Sequence, residues 1–182
     1  MCIRDSLYVG ERVAEDLRSF KEGGTGSQSH SQYQPNSYPD RLEAGTINLP
    51  GVLALGGGFD YIQRVGRRHI KEHLDALTRC FLVGALDLPH VTVYGPGPGE
   101  ERTPVVMVNV DNMDGGEVAM LLDERYGIAV RSGFHCSPLA HNLMGTGETG
   151  GVRFSFSSFN TQEEIDQALL ALKEIAQEAA EA

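Results

Sequence analysis

The chain has 182 residues, 41% of them hydrophobic, with a formal net charge of −10 and three cysteines. That length fits one globular domain, or a small domain joined to part of another. The acidic balance argues against nucleic acid as a partner, since phosphates are met by Lys and Arg, and no apolar run approaches the roughly 20 residues that span a bilayer.

The start of the chain has no basic region leading into an apolar stretch, so no secretory signal is read and a soluble, cytoplasmic protein is expected. Cys2, Cys80 and Cys136 cannot all pair and form no C-x-x-C, which fits free thiols in a reducing compartment.

In chain order, residues 1–6, MCIRDS, match the translated end tag of a transposase used in preparing sequencing libraries. They are expected to be foreign, and Cys2 with them. LYVG, residues 7–10, then reads as a buried strand without a lead-in, as if chain upstream had been cut away. ERVAEDLRSF is a charged connector. Residues 21–51 follow with little hydrophobic periodicity and much Gly, Ser, Pro and Asn. A run of this kind is either a functional loop or a disordered linker.

Residues 52–86 predict a long helical stretch through Leu53, Ile62, Val65, Ile70, Leu74, Leu77 and Phe81. Gly56, Gly57, Gly58 and Gly66 predict a bend or break within it. Cys80 falls on its apolar side, as a structural thiol does, and His69 and His73 on a solvated face. VTVY (91–94) and PVVMVNV (104–110) predict a hairpin, the second strand apolar on both faces.

DGGEVAMLLDERYG predicts a helix opened by Asp114 and Glu117 and closed by Gly127. IAVRSG and VRFSFS predict strands. TQEEIDQALLALKEIAQEA predicts a terminal helix with a capping box, Thr161 and Glu164. Together these elements predict an α+β sandwich of sheet and helices, preceded by a loop-rich segment of a different domain.

Alternation along GVRFSFS puts Val152, Phe154 and Phe156 on one face and Arg153 on the other. Arg131 likewise precedes the turn that carries Cys136. Two arginines and a cysteine near strand ends predict an anion-binding cleft, since a guanidinium fork can bond both oxygens of a carboxylate.

As a nucleophile Cys136 needs thiolate, because a free thiol with a pKa of about 8.5 is mostly protonated at neutral pH. His135, Arg131 or a bound cationic group could supply the stabilising charge, while the plain alternative is a small residue filling a turn. No metal is expected at His135, Cys136 and His141, whose neighbouring side chains diverge without a fourth ligand. GTGETG (145–150) fits G-x-G-x-x-G, but a strand rather than a helix follows it, so it is not a dinucleotide fingerprint. EGGTGS lacks the Gly-Lys-Ser/Thr ending of a P-loop.

With LYVG, EGGTGS, RLEAGTINLPGV, GIAVRSGFHCSPLAH and GVRFSFSSFNTQEEID assembled, the chain resembles the class V aminotransferase superfamily of pyridoxal-phosphate enzymes. Within it, the cysteine desulfurase/selenocysteine lyase branch is the nearest likeness. The resemblance implies an α/β PLP-dependent transferase of fold type I. Residues 7–62 would be the end of the large cofactor domain, and residues 63–182 an α+β C-terminal small domain with the catalytic loop.

It further implies Cys136 as the thiol that attacks the sulfur of cofactor-bound L-cysteine, leaving an enzyme persulfide and alanine. Arg153 is implied as the clamp on the substrate carboxylate, with Arg131 and His135 flanking the nucleophile. Gly45 and Thr46 are implied at the cofactor phosphate of a neighbouring subunit, hence a homodimer, with a sulfur-acceptor protein possible. The family often has His-His before this cysteine; Phe134 replaces the first, which puts a proton relay through that position in doubt.

The family's Schiff-base lysine lies just upstream of LYVG, and none of Lys21, Lys71 and Lys173 matches it. The expectation is therefore the C-terminal part of a desulfurase, which does not turn over by itself. The alternatives are a selenocysteine lyase, another class V lyase, epimerase or aminotransferase, and a binding module that never holds cofactor.

Overall fold

The computed structural model describes residues 7–181, so the expected tag at residues 1–6 lies outside the described residues. The chain divides into two compact units, Met1–Val65 and Gly66–Ala182. No helix among the described residues is long and apolar enough to cross a membrane.

Among the described residues, the first unit holds two helices, α1 (Glu11–Ala14) and α2 (Leu49–Val65). Residues 7–10 are irregular rather than the expected buried strand, with Leu7 and Tyr8 74% and 92% exposed. A strand needs a neighbour for its N–H and C=O groups, and none lies in the described part of this unit.

The Gly/Ser/Pro-rich run between the helices has no regular element, yet it is tied by side chains. Tyr38 Oη and Arg41 Nη1 both donate to the Ala14 carbonyl, at 2.7 and 3.2 Å, and Arg41 Nη2 donates to Glu15 O at 3.1 Å. Carbonyls that a helix end leaves unpaired are satisfied in this way. Gln34 spans the loop, accepting from Gly23 N at 3.2 Å and donating to Asp40 O at 2.6 Å.

The expected break in the long helical stretch falls at Gly66, φ +89, which separates α2 from α3 (Arg67–Leu86). Only glycine reaches that conformation at no steric cost. Gly56, Gly57 and Gly58 stay inside α2, which also begins three residues earlier than residue 52 and buries none of its side chains.

The second unit continues from α3 with β1 (Val91–Tyr94), β2 (Val105–Val110), α4 (Gly115–Tyr126), β3 (Arg131–Gly133), α5 (Pro138–Leu143), β4 (Gly151–Ser155) and α6 (Gln162–Glu181). The four strands form one sheet in the order β1-β2-β4-β3, and every neighbouring pair is antiparallel. The hairpin β1–β2 is as the sequence predicts. β4 is inserted between β2 and β3, which α4 connects, so the crossover is a split βαβ.

Val106, Val108 and Val110 are buried against α3, α4 and α6, while Val105, Met107 and Asn109 are half-buried. β2, expected to be apolar on both faces, is central in the sheet: its fully buried residues lie on one face, and Val105 and Met107 are half-buried on the other beside Asn109. β3 is also shorter than IAVRSG predicts: Ile128 and Val130 pack against the core from outside the ladder.

Phe81 of α3 is fully buried, its ring centroid 4.5 Å from Phe154 and 5.3 Å from Phe156. Phe81→Ala is expected to cost about 3–5 kcal/mol of unfolding free energy, read by urea denaturation. Cys80 is half-buried and accepts from Gln162 Nε2 at 2.9 Å, as a structural thiol does. His69 is exposed, but His73 meets Asn160 O at 3.0 Å, so it joins α3 to the start of α6 instead of facing solvent.

The capping box of α6 forms in both directions: Glu164 N donates to Thr161 Oγ1 at 3.3 Å and Thr161 N donates to Glu164 Oε2 at 3.1 Å. At α4, Asp114 accepts from Gly116 N at 2.7 Å and Gly127 closes the helix in the left-handed conformation.

Candidate functional site

β4 carries Val152 and Phe154 into the core and so turns Arg153 to the opposite face. β3 pairs with β4 in the register Arg131↔Arg153 and Gly133↔Gly151. The two guanidinium side chains are therefore direct cross-strand neighbours on one face. Like charges in that position destabilise a sheet. Arg153 Nε is moreover buried without a hydrogen-bond partner among the described residues, a costly state for a charged donor. An anion held between the two arginines would remove both penalties.

Beyond β3 the chain reverses through residues 134–137, closed by Ser137 N donating to Phe134 O at 2.8 Å. The two central residues, His135 and Cys136, have φ of +51 and +62. That is the pattern of a type I′ turn, which favours Asn-Gly. A side chain held there costs roughly 1–2 kcal/mol per residue, and such strain persists only where the surroundings impose it.

Several contacts impose it here. The His135 ring meets Arg131 O at 3.1 Å through Nε2; a carbonyl can only accept, so Nε2 carries the proton and Nδ1 is the basic atom. Gly150 lies so close to Gly133 that a Cβ on it would sit 2.8 Å from Gly133 Cα, so the entry to β4 can abut the base of the turn.

α5 opens with Pro138 in its first turn and returns His141 to the turn. The His141 ring is buried, with Phe134 edge-on at 5.5 Å and His135 stacked at 5.6 Å. Its Nδ1 lies 2.8 Å from Thr146 Oγ1.

Cys136 is exposed, and Arg131 Nη2 donates to its Sγ at 3.6 Å. The fold thus brings Arg131 on the edge strand β3, and His135 and Cys136 in the turn after it, beside the position of Arg153 on neighbouring β4. Burial pushes the His135 ring below its ordinary pKa; its hydrogen bond to Arg131 O opposes this, and the charges of Arg153, His141 and Arg131 reinforce it.

At neutral pH His135 is therefore an uncharged base, and Arg131 is the cation at the sulfur. The sequence left His135, Arg131 and a bound cationic group all open for the charge beside the thiol. Because the folded ring takes its proton less readily than the unfolded one, stability falls as pH drops below the ordinary value of 6.5. It levels off once the folded ring also protonates. Urea midpoints between pH 7 and pH 5 are expected to show this fall, and His135→Gln to flatten it.

His141 and Thr146 were not legible as a buried pair. The only sequence signal was their placement on either side of a glycine, where α5 ends. The Gly-rich run at residues 145–150 connects α5 to β4 and opens no helix. No group of three or more His, Cys, Asp or Glu side chains that could hold a metal occurs among the described residues.

Gly45 and Thr46 belong to the first unit. Gly45 has φ +92, open space where a Cβ would be, and an N–H donating to Gly24 O at 2.9 Å. This bond ties EAGT to the EGGTGS segment. Thr46 is exposed.

Among curated proteins, the chain is 35% identical over 173 residues to a probable cysteine desulfurase of Methanothermobacter thermautotrophicus, covering 93% of this chain and 43% of that protein. It is 34% identical over 173 residues to a cysteine desulfurase of Salmonella agona, covering 93% and 41%. The chain thus spans about two fifths of the length of these relatives.

Among solved structures, the apo cysteine desulfurase of Thermococcus onnurineus superposes with a TM-score of 0.83 at 31% identity, over 93% of this chain and 42% of that one. The Escherichia coli cysteine desulfurase CsdA in its S-sulfonic acid form gives 0.73 at 23% identity, over 94% and 41%, a likeness of fold. The architecture is accordingly part of a fold type I transferase. The family model for aminotransferase class V matches residues 6–168, and over that length the chain belongs to the class V aminotransferase family.

Proposed function

We propose that the chain is the C-terminal part of a PLP-dependent cysteine desulfurase, in which the Cys136 thiolate takes the sulfur of L-cysteine. A sulfur–sulfur bond forms on Sγ, the substrate's carbon–sulfur bond breaks, and alanine leaves. The observation that carries this reading is the Arg131–Arg153 cross-strand pair beside the exposed thiol, with Arg131 already donating to sulfur.

A substrate carboxylate on Arg153 would engage its orphaned Nε and offset the like-charge pairing. His135 Nδ1 is the basic atom next in sequence to the nucleophile and holds no proton at neutral pH. Cys136 stays open to solvent, so a persulfide there is within reach of a sulfur acceptor.

Bound pyridoxal 5′-phosphate supplies the electron sink that weakens the substrate's carbon–sulfur bond. Gly45 and Thr46 fit its phosphate end, with open left-handed backbone and an exposed hydroxyl, offered across a homodimer. The lysines do not fit its amine: Lys71 Nζ is hydrogen-bonded to Asp75 at 2.6 Å, which raises its pKa, and Lys21 and Lys173 are exposed. On this reading the Schiff-base lysine belongs to the longer protein, and the present chain does not turn over alone.

The test is alanine release from L-cysteine by the PLP-loaded longer protein, with mass spectrometry of the alkylated Cys136 peptide to find one added sulfur atom. Alanine without persulfide on Cys136 would overturn the role of the thiol. Turnover of selenocysteine alone would make the enzyme a selenocysteine lyase, since the same arginines hold any amino-acid carboxylate. Absence of a PLP absorbance band would leave a binding module.

A further inference from the structure

We infer that His141 and Thr146 are positioning residues for the turn that presents Cys136, an inference that rests on the sulfur-accepting role of that thiol. Both side chains are about 2% exposed, and burying a polar group is costly unless it finds a partner. Each answers the other's need. The Thr146 hydroxyl donates to His141 O at 3.3 Å, so its oxygen is left to accept Nδ1–H of the same residue's ring at 2.8 Å.

Thr146 N also donates to His141 O, at 2.9 Å. The ring cannot rotate without leaving Nδ1 unpaired in the interior. It therefore offers a fixed plane to the first two residues of the turn, Phe134 edge-on and His135 stacked.

The third residue of that turn is Cys136. With positive φ at both His135 and Cys136, the turn needs holding from outside. Held, it keeps Sγ 3.6 Å from Arg131 Nη2. Space-filling alone does not account for the couple, because a leucine or phenylalanine would fill the His141 site without requiring a hydroxyl at residue 146.

The experiment uses the PLP-loaded longer protein and two replacements of Thr146. Thr146→Val keeps the shape and removes the hydroxyl; Thr146→Ser keeps the hydroxyl. Thr146→Val is expected to lower kcat for alanine release about tenfold or more with KM within about twofold, since a small misplacement of a reacting group is enough for that. Thr146→Ser is expected to stay within about twofold of wild type on both constants, its hydroxyl still pairing the ring.

The second readout needs no turnover. Alkylation of Cys136 by iodoacetamide at pH 7 is expected to slow about fivefold in Thr146→Val and in Arg131→Met. The double variant should be no slower than either, as for residues that act as one unit. If Thr146→Val does not fold, His141→Asn, which keeps a donor toward Thr146 and loses the ring, is expected to slow alkylation in the same way.

Wild-type kcat and wild-type alkylation in the variant that folds would overturn the inference. So would additive slowing in the double variant. A wild-type protein that releases no alanine would defeat the desulfurase reading, and the alkylation cycle would still decide this one.

Discussion

Cys136→Ser in the PLP-loaded longer protein is expected to abolish sulfur release, by roughly thousandfold or more, the scale on which removing an enzyme's nucleophile acts. Serine fits the turn as cysteine does, so the folded state should change little. The left-handed conformation at residue 136 is no worse for a hydroxyl than for a thiol, and Arg131 Nη2 retains an acceptor.

What disappears is a polarizable atom able to accept sulfur and hold it as a persulfide. Substrate should still bind and perturb the cofactor's absorbance, because the arginines are untouched. The measurement is sulfide and alanine production under a thiol reductant, alongside that absorbance change. Unchanged sulfide would remove Cys136 from the reaction.

Arg153→Met should do the reverse, sparing the thiol and losing the substrate. Truncating one partner of a desolvated charge pair costs about 2–5 kcal/mol, so kcat/KM for L-cysteine is expected to fall about thirtyfold or more at 1.4 kcal/mol per decade. The loss should appear mainly in KM. Stability should move the other way. Without Arg153 the cross-strand guanidinium repulsion and the unpartnered buried Nε both disappear, so the thermal midpoint should hold or rise.

A variant that binds substrate worse yet unfolds no sooner marks a residue kept for its ligand. If Arg153→Met lost stability and kept KM, Arg153 would be a structural residue.

Much of this was legible in the sequence because it depends on periodicity and local chemistry. A period of two along GVRFSFS put Arg153 opposite Phe154, and the Thr161/Glu164 spacing gave the start of α6. The hairpin of β1 and β2 followed from two apolar runs around a Gly/Pro loop. Register was not legible: alternation tells which face Arg131 and Arg153 take, but only the paired strands make them neighbours.

Nor could the sequence give the return of His141 through a single short helix, because Ser137 and Pro138 read equally well as a loop. LYVG failed for a related reason, since a strand depends on a partner that its own residues do not specify. The charge state of His135 needed burial and two guanidinium groups, all three supplied by tertiary structure.

α2 leaves Leu49, Val52, Leu53 and Phe59 exposed and buries nothing. Water meets most of that apolar surface, and the attraction between such surfaces weakens on cooling and strengthens on warming. Association of this segment by itself through that face is therefore expected to depend on temperature. Cold conditions favour dispersed chains, warmth favours their association, and salts excluded from protein surfaces, such as sulfate, push in the same direction as warmth.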